Sequence, residues 1–328
     1  MLTRGSGAGG MVDGAMDSAQ TSASGDADRW LECVAHMAAA GKAAAGRLYG
    51  TAAGRVELGK GAGGDNTLQI DRACEAAMQG VLAAEAPAPY RLVTEEAGIL
   101  GDRDAPWWVV LDPVDGSLNA KHGLQPFGAS IGVAQTRLGG ESTLADVTVG
   151  YIEDYVRPQA FAAMKGSGLL LAGRPCPEGL LARPAREPVD PERFESDRVE
   201  VMLLEAGRPD RHRFQYQGLS NVAAGGKSAD MRVRQIGSIA LSLCYLATGV
   251  ADVLVAAVKA RSVDLAAGFL ILAEAGGGVA ALDGSDVWTQ PLDLKKRSPF
   301  VAWRAGLDGD DIAARGRALS SELLLSPQ

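Results

Sequence analysis

The segment WWVVLDPVDGSLN, residues 107–119, constrains this chain more than any other stretch. Its opening is a continuous apolar run, which reads as a buried strand over residues 107–111. The run stops at Asp112-Pro113, and a second carboxylate, Asp115, follows three residues after the first. Pro113 stiffens the turn between them, and Gly116 permits close backbone approach. Ser117 then opens a helix, and free N–H groups at a helix start suit an anionic phosphate. One tight loop therefore offers carboxylates to a cation and N–H donors to a phosphate. Taken alone, the loop also reads as turn chemistry, with Asp112 as a turn residue and Asp115 as an N-cap.

Three further segments carry acids at the ends of elements. Residues 90–94 read as a short strand running into Glu95-Glu96 in LVTEEAG, where a solvated charge pair is the plainer reading. Asp264, in RSVDLAAGFLILAEAGGG, begins an apolar helix over 265–275 that stops at Gly276-Gly277-Gly278. An N-cap role suits Asp264 and is compatible with metal binding. Asp71, in GGDNTLQIDRACE, lies on a helix read over 67–84, where an exposed acid is the ordinary case.

The character of any bound cation follows from what the chain lacks. Its three histidines, His36, His122 and His212, stand isolated, and its four cysteines, Cys33, Cys74, Cys176 and Cys244, form no CxxC pair. A zinc site is thereby disfavoured, and carboxylate and carbonyl oxygens point to Mg²⁺, Mn²⁺ or Ca²⁺. Scattered cysteines also fit reduced thiols in the cytoplasm. The formal net charge of −8 disfavours a nucleic-acid or anionic-membrane surface. A small anionic substrate remains compatible with it, because a bound cation reverses the local field. There is no apolar run of about 18 residues, so no membrane span is expected.

With 328 residues and 47% hydrophobic content, the chain has enough core for one large or two medium domains. Residues 1–25, rich in Gly, Ala, Ser and Thr, read as a disordered extension. Residues 26–168 form a first half and 169–328 a second, with the Pro, Arg and Glu-rich stretch 174–197 as boundary or exposed excursion. Helices are expected over 28–49, 239–247 and 310–324 besides those named, and strands over 127–135, 145–151, 199–204, 253–258 and 298–303. GRVELGKG, residues 54–61, lacks the Ser or Thr that ends a nucleotide loop. Lys295-Lys296-Arg297 reads as a solvated turn.

Together the acidic segments resemble the inositol monophosphatase superfamily, which includes fructose-1,6-bisphosphatases and other lithium-sensitive phosphatases. The matching motifs are LVTEEAG, LDPVDGSLN, RQIGSIALSLCYLATGVAD and VDLAAGFLILAEAGG, and the likeness runs from about Asp28 to the C-terminus. The resemblance implies an α+β / α/β fold, a layered αβαβα sandwich. The first half would hold most metal ligands and the second would add Asp264 and the substrate wall.

The resemblance further implies Glu95, Asp112, Asp115, Asp264 and the Val114 carbonyl as ligands to two or three Mg²⁺ ions, with Mn²⁺ as a substitute. Glu96 would help position a water. Asp71 with Ser117, which stands where the family more often has threonine, would activate the attacking water. Backbone N–H groups of Gly116 and Ser117 would hold the phosphate. Arg234, Lys259 and Arg261 are the candidate substrate contacts, with Arg234 also readable as a structural ion pair and Lys259 and Arg261 as exposed loop charges. The glutamate that contacts inositol in animal-type members is replaced near Ala257, Val263 stands for a common tryptophan, and the loop 122–127 is one residue longer than the usual family loop. The implied activity is Mg²⁺-dependent hydrolysis of a small sugar or cyclitol phosphate, of the inositol monophosphate or fructose-1,6-bisphosphate class. The alternatives are an adenosine 3′,5′-bisphosphate 3′-phosphatase, a specialised biosynthetic phosphatase, or a non-catalytic regulatory member of the fold. A cytoplasmic homodimer with no nucleic-acid or membrane partner is the accompanying expectation.

Overall fold

A computed structural model of the chain describes residues 13–136, 141–172, 198–205, 218–219, 221–222 and 231–324. The 174–197 stretch, Cys176 and His212 lie outside the described residues, as do residues 1–12 of the N-terminal segment. The helices are α1 (Asp13–Leu48), α2 (Gln69–Glu85), α3 (Ser117–His122), α4 (Ile239–Ala247), α5 (Ser262–Glu274) and α6 (Gly309–Leu324). The strands are β1 (Glu57–Lys60), β2 (Asn66–Leu68), β3 (Tyr90–Thr94), β4 (Gly98–Gly101), β5 (Trp107–Asp115), β6 (Gly128–Gln135) and β7 (Val147–Asp154), then β8 (Ala160–Met164), β9 (Leu169–Ala172), β10 (Val201–Glu205), β11 (Arg232–Arg234), β12 (Val253–Ala260), β13 (Gly278–Ala281) and β14 (Ser298–Trp303).

Apolar spacing sorts these elements into five layers. On α2, Ile70, Cys74, Met78 and Leu82 recur every fourth residue and are buried, which gives the helix one apolar stripe. With Trp30, Val34 and Met37 of α1, that stripe covers one face of a seven-stranded sheet ordered β4-β3-β5-β6-β7-β8-β9. Residues 262–272 of α5 are all buried, as a helix apolar on every side must be. Together α4 and α5 fill the space between the other face of that sheet and a five-stranded sheet ordered β11-β10-β12-β14-β13. Ile312 and Leu319 of α6 close the far face. The order is helices, sheet, helices, sheet, helix: the expected αβαβα sandwich.

Glycines let α5 lie unusually close to the large sheet. A Cβ on Gly150 would stand 2.9 Å from the Ala267 carbonyl oxygen, and one on Gly132 would stand 2.8 Å from the Ala266 Cβ. Because α5 carries Asp264, this contact sets the height of that carboxylate above β5. Gly150→Val is expected to destabilise the protein by about 1–3 kcal/mol through overpacking against backbone. Denaturant melts check this, and an unchanged midpoint would refute the seating of α5 on these glycines.

Several element bounds differ from the sequence expectation. Helix α1 starts at Asp13, inside the stretch read as an extension, because extending a packed helix through Ala-rich sequence avoids the cost of a new nucleus. Strand β5 continues through the DPVD turn to Asp115, with a register shift between Asp112 and Asp115 against β6. Residues 66–68 pair with β1 before α2 begins at Gln69. Strands β1, β4, β9, β11 and β13, three or four residues each, escaped notice because partner strands define them and periodicity does not.

Candidate active site

Strand register brings the first two acids together. Strands β3 and β5 are parallel neighbours with Thr94 opposite Leu111, so they end level and release Glu95 and Asp112 side by side. The Glu95 N–H still donates to the Leu111 carbonyl at 3.3 Å, continuing the ladder by one residue. The irregularity beyond Asp112 re-aims the chain, as bulges do. Gly116 then turns it at φ 91°, where a Cβ would lie 3.0 Å from the Gly237 carbonyl. Ser117 starts α3.

Asp264 arrives from the helical layer between the sheets. Carboxylate oxygens of Glu95, Asp112 and Asp264 lie within 4.8 Å of one another. Asp115 stands apart from this group, its Oδ2 accepting from Ser238 Oγ at 2.5 Å and from the Ala240 N–H at 2.7 Å. It thereby satisfies the start of α4. Burial pushes the Asp112 carboxyl well up, and Glu95, Asp115 and Asp264 add to the rise. Burial also raises Glu95 to about 8, against the pull of Arg261. Asp115 rises to about 7, again from burial, with the Ser238 hydroxyl opposing. These groups are costly to ionise without a counter-cation. The donors are hard oxygens on rigid elements, which fits Mg²⁺ and disfavours soft metals.

Beside the cluster stands Asp71 on α2. Its Oδ2 accepts from the Leu68 N–H at 2.8 Å, while Oδ1 is buried without a hydrogen bond. Burial lifts its carboxyl to about 7, and Glu96 and Glu75 add to this while the Leu68 N–H opposes. The Ser117 hydroxyl is close enough to lower Asp71, yet it donates its proton to the Val114 carbonyl at 2.8 Å. Glu96 accepts from the Thr67 hydroxyl, and burial raises it.

The three basic residues read as substrate contacts fare differently. Arg261 is buried, with Nη2 at 2.6 Å from Glu95 Oε1 and 3.1 Å from Asp264 Oδ1, so it sits among the carboxylates and does not face outward. Arg234 is exposed at the end of β11 and donates to the Val233 carbonyl at 2.9 Å. The side chain of Lys259 lies outside the described residues.

Sequence reasoning passed over four supports. Glu75, one turn beyond Asp71, accepts from the Thr94 hydroxyl at 2.5 Å and the Ala97 N–H at 3.1 Å, bracketing Glu95-Glu96. Glu205, at the end of β10, accepts from the N–H groups of Gly237 at 2.9 Å and Ile236 at 3.3 Å. Asn119 ties α3 to the Pro126 and Ile236 carbonyls at 2.7 Å each. Ser238 links Asp115 to α4. Glu75 was detectable as a helix acid on the same face as Asp71, and Glu205 as a third acid at a strand end.

Residues 26–318 match the model of the inositol monophosphatase family. The chain belongs to the inositol monophosphatase family. Among relatives, a fructose-1,6-bisphosphatase/inositol-1-monophosphatase of Methanothermobacter thermautotrophicus is 29% identical over 279 residues, spanning 83% of this chain and 91% of that protein. The Nus factor SuhB of Pasteurella multocida is 32% identical over 241 residues, spanning 72% of this chain and 79% of that one. In fold, the chain resembles the Thermotoga maritima IMPase at TM-score 0.63 and 21% identity, covering 88% of this chain and 97% of the other. This inositol monophosphatase family member is therefore a phosphatase, a hydrolase of phosphoric monoesters, and the family is metal-dependent. Among its described residues no helix is long and apolar enough to cross a membrane.

Proposed function

We propose that this phosphatase cleaves the phosphate ester of a small sugar or cyclitol, of the inositol monophosphate or fructose-1,6-bisphosphate class. The convergence of Glu95, Asp112 and Asp264 next to Asp71 and the start of α3 carries this reading. Those three acids, with Asp115 and the Val114 carbonyl, would hold two or three Mg²⁺ ions. Bound Mg²⁺ supplies charge neutralisation at the phosphate and makes water a better nucleophile.

The remaining chemistry falls to the chain itself. Backbone N–H groups of Gly116 and Ser117 hold the phosphate at the left-handed turn. Ser117 gives its own proton to Val114 and so presents lone pairs, which orient the attacking water. Asp71 takes that water's proton, since a carboxyl near neutral pKa is matched to such transfer. Attack is in line, with the alkoxide departing on the opposite side of phosphorus, and no covalent enzyme intermediate forms. The relative named fructose-1,6-bisphosphatase/inositol-1-monophosphatase supports the substrate class.

The test is phosphate release with and without Mg²⁺ from inositol 1-phosphate, fructose 1,6-bisphosphate, adenosine 3′,5′-bisphosphate and several sugar monophosphates. Mg²⁺-dependent turnover of a sugar or cyclitol ester above the nucleotide is the expected result. Preference for the nucleotide would replace it with the 3′-phosphatase reading. The relative named Nus factor SuhB favours a second reading, a regulatory role. A protein that binds Mg²⁺ yet turns over nothing in the panel would support that one instead.

A further inference from the structure

Arg261 commits nearly its whole guanidinium to the carboxylate cluster. Nη2 bridges Glu95 Oε1 at 2.6 Å and Asp264 Oδ1 at 3.1 Å, and Nε reaches Asp264 Oδ2 at 3.3 Å. The Arg261 N–H adds a bond to the same Oδ2 at 2.6 Å, so both oxygens of Asp264 face this one residue. On its outer side Nη1 lies 3.2 Å from Asp65 Oδ2 and 3.5 Å from the Gly63 carbonyl. The seat is built for it. A Cβ on Gly63 would collide with Nη1, and Arg297 fixes the same carbonyl from outside at 2.7 Å. Burial works against the guanidinium charge, but Asp264 and Glu95 outweigh it and hold the proton firmly. The group is a permanent cation.

A divalent ion at Glu95, Asp112 and Asp264 draws on the oxygens that Arg261 already engages. It also meets a fixed positive charge at close range, where like charges repel strongly in a poorly solvated site. We infer that Arg261 is a chain-borne competitor for the metal: it neutralises the clustered acids and thereby weakens divalent-ion binding at Glu95 and Asp264. Exposed Asp65, its side chain 71% accessible, gives the guanidinium an alternative partner when an ion takes the inner oxygens. The inference rests on the metal-ligand reading above and assigns Arg261 a role other than substrate contact.

Calorimetric Mg²⁺ titration of the full chain at constant ionic strength tests it, alongside melting in chelator. Arg261→Gln is expected to bind Mg²⁺ at least tenfold more tightly than wild type and to melt lower in chelator, with Mg²⁺ restoring the difference. Arg315→Ala, which removes an equal charge on α6 where it pairs with Asp311 at 2.7 Å, should leave Mg²⁺ affinity unchanged. Arg261→Lys keeps the charge but loses the fork, so its affinity should fall between; it serves as the decisive variant if the glutamine form does not fold. Unchanged or weaker Mg²⁺ binding in the folded variants overturns the inference while leaving the metal site standing. Absence of Mg²⁺ binding in wild type and variants alike overturns both.

Discussion

Asp112→Asn will remove at least about three orders of magnitude in phosphate release, a barrier increase of roughly 4 kcal/mol, without unfolding the protein. Asp112 lies at the junction of β5 and its bulge and is 2% exposed. It accepts the Val114 N–H at 2.9 Å through Oδ1, a bond that an asparagine amide oxygen can keep. What the substitution removes is charge, the one property a cation site needs. The same change should help the metal-free fold. Burial, then Glu95, Asp115 and Asp264, raise the Asp112 pKa, so the folded state retains a proton that the unfolded chain releases near pH 4. Stability contributed by this group therefore declines as pH rises above that point, and the variant escapes the decline. In chelator at pH 8 the variant should melt at or above wild type, and Mg²⁺ should raise its midpoint less. Retention of more than a tenth of the wild-type rate would remove Asp112 from the metal set.

Asp71→Asn should cost about 10²–10⁴-fold in kcat while leaving Mg²⁺ affinity and KM near wild type. That split separates a proton acceptor from a metal ligand. A base must be ionised to act, so wild-type kcat should rise with pH through an acid limb. Burial, with Glu96 and Glu75 adding, places the carboxyl at about 7 in the protein without cations, and bound cations move the limb lower. The residual rate of the variant should lack this limb. Asp71 is also raised above its unfolded value, so its ionisation costs stability above pH 4, and the asparagine variant should melt higher than wild type at pH 8. A pH profile unchanged in shape would assign the limb to another group.

Much of the site was legible because its chemistry is local. Trp107 to Leu111 announces a buried strand by composition, and acids just after it must emerge at the strand end whatever the surroundings. Gly116 is required by a positive φ, which a reader of the loop can anticipate without coordinates. The stripe on α2 and the all-apolar α5 likewise follow from periodicity, and their layer positions follow from which faces need cover.

Other features depended on pairing between distant segments. The partner of Asp115 is Ser238, 123 residues away, and Arg261 meets Gly63 across 198 residues. No window of sequence contains both members of such a pair. Arg261 shows the consequence most clearly: beside Asp264 in the chain it reads equally as an exposed loop charge or a substrate contact. The sequence by itself determined the acids that follow β3 and β5 and open α5, the left-handed turn at Gly116 and the longer strands and helices, because each depends on neighbours along the chain. Only the tertiary structure decided that β3 and β5 end level, that glycines at 132 and 150 lower α5 onto the sheet, and that a guanidinium stands where the carboxylates meet. Those outcomes depend on register and close packing between segments, and the free energy that selects them exists only once the layers are assembled.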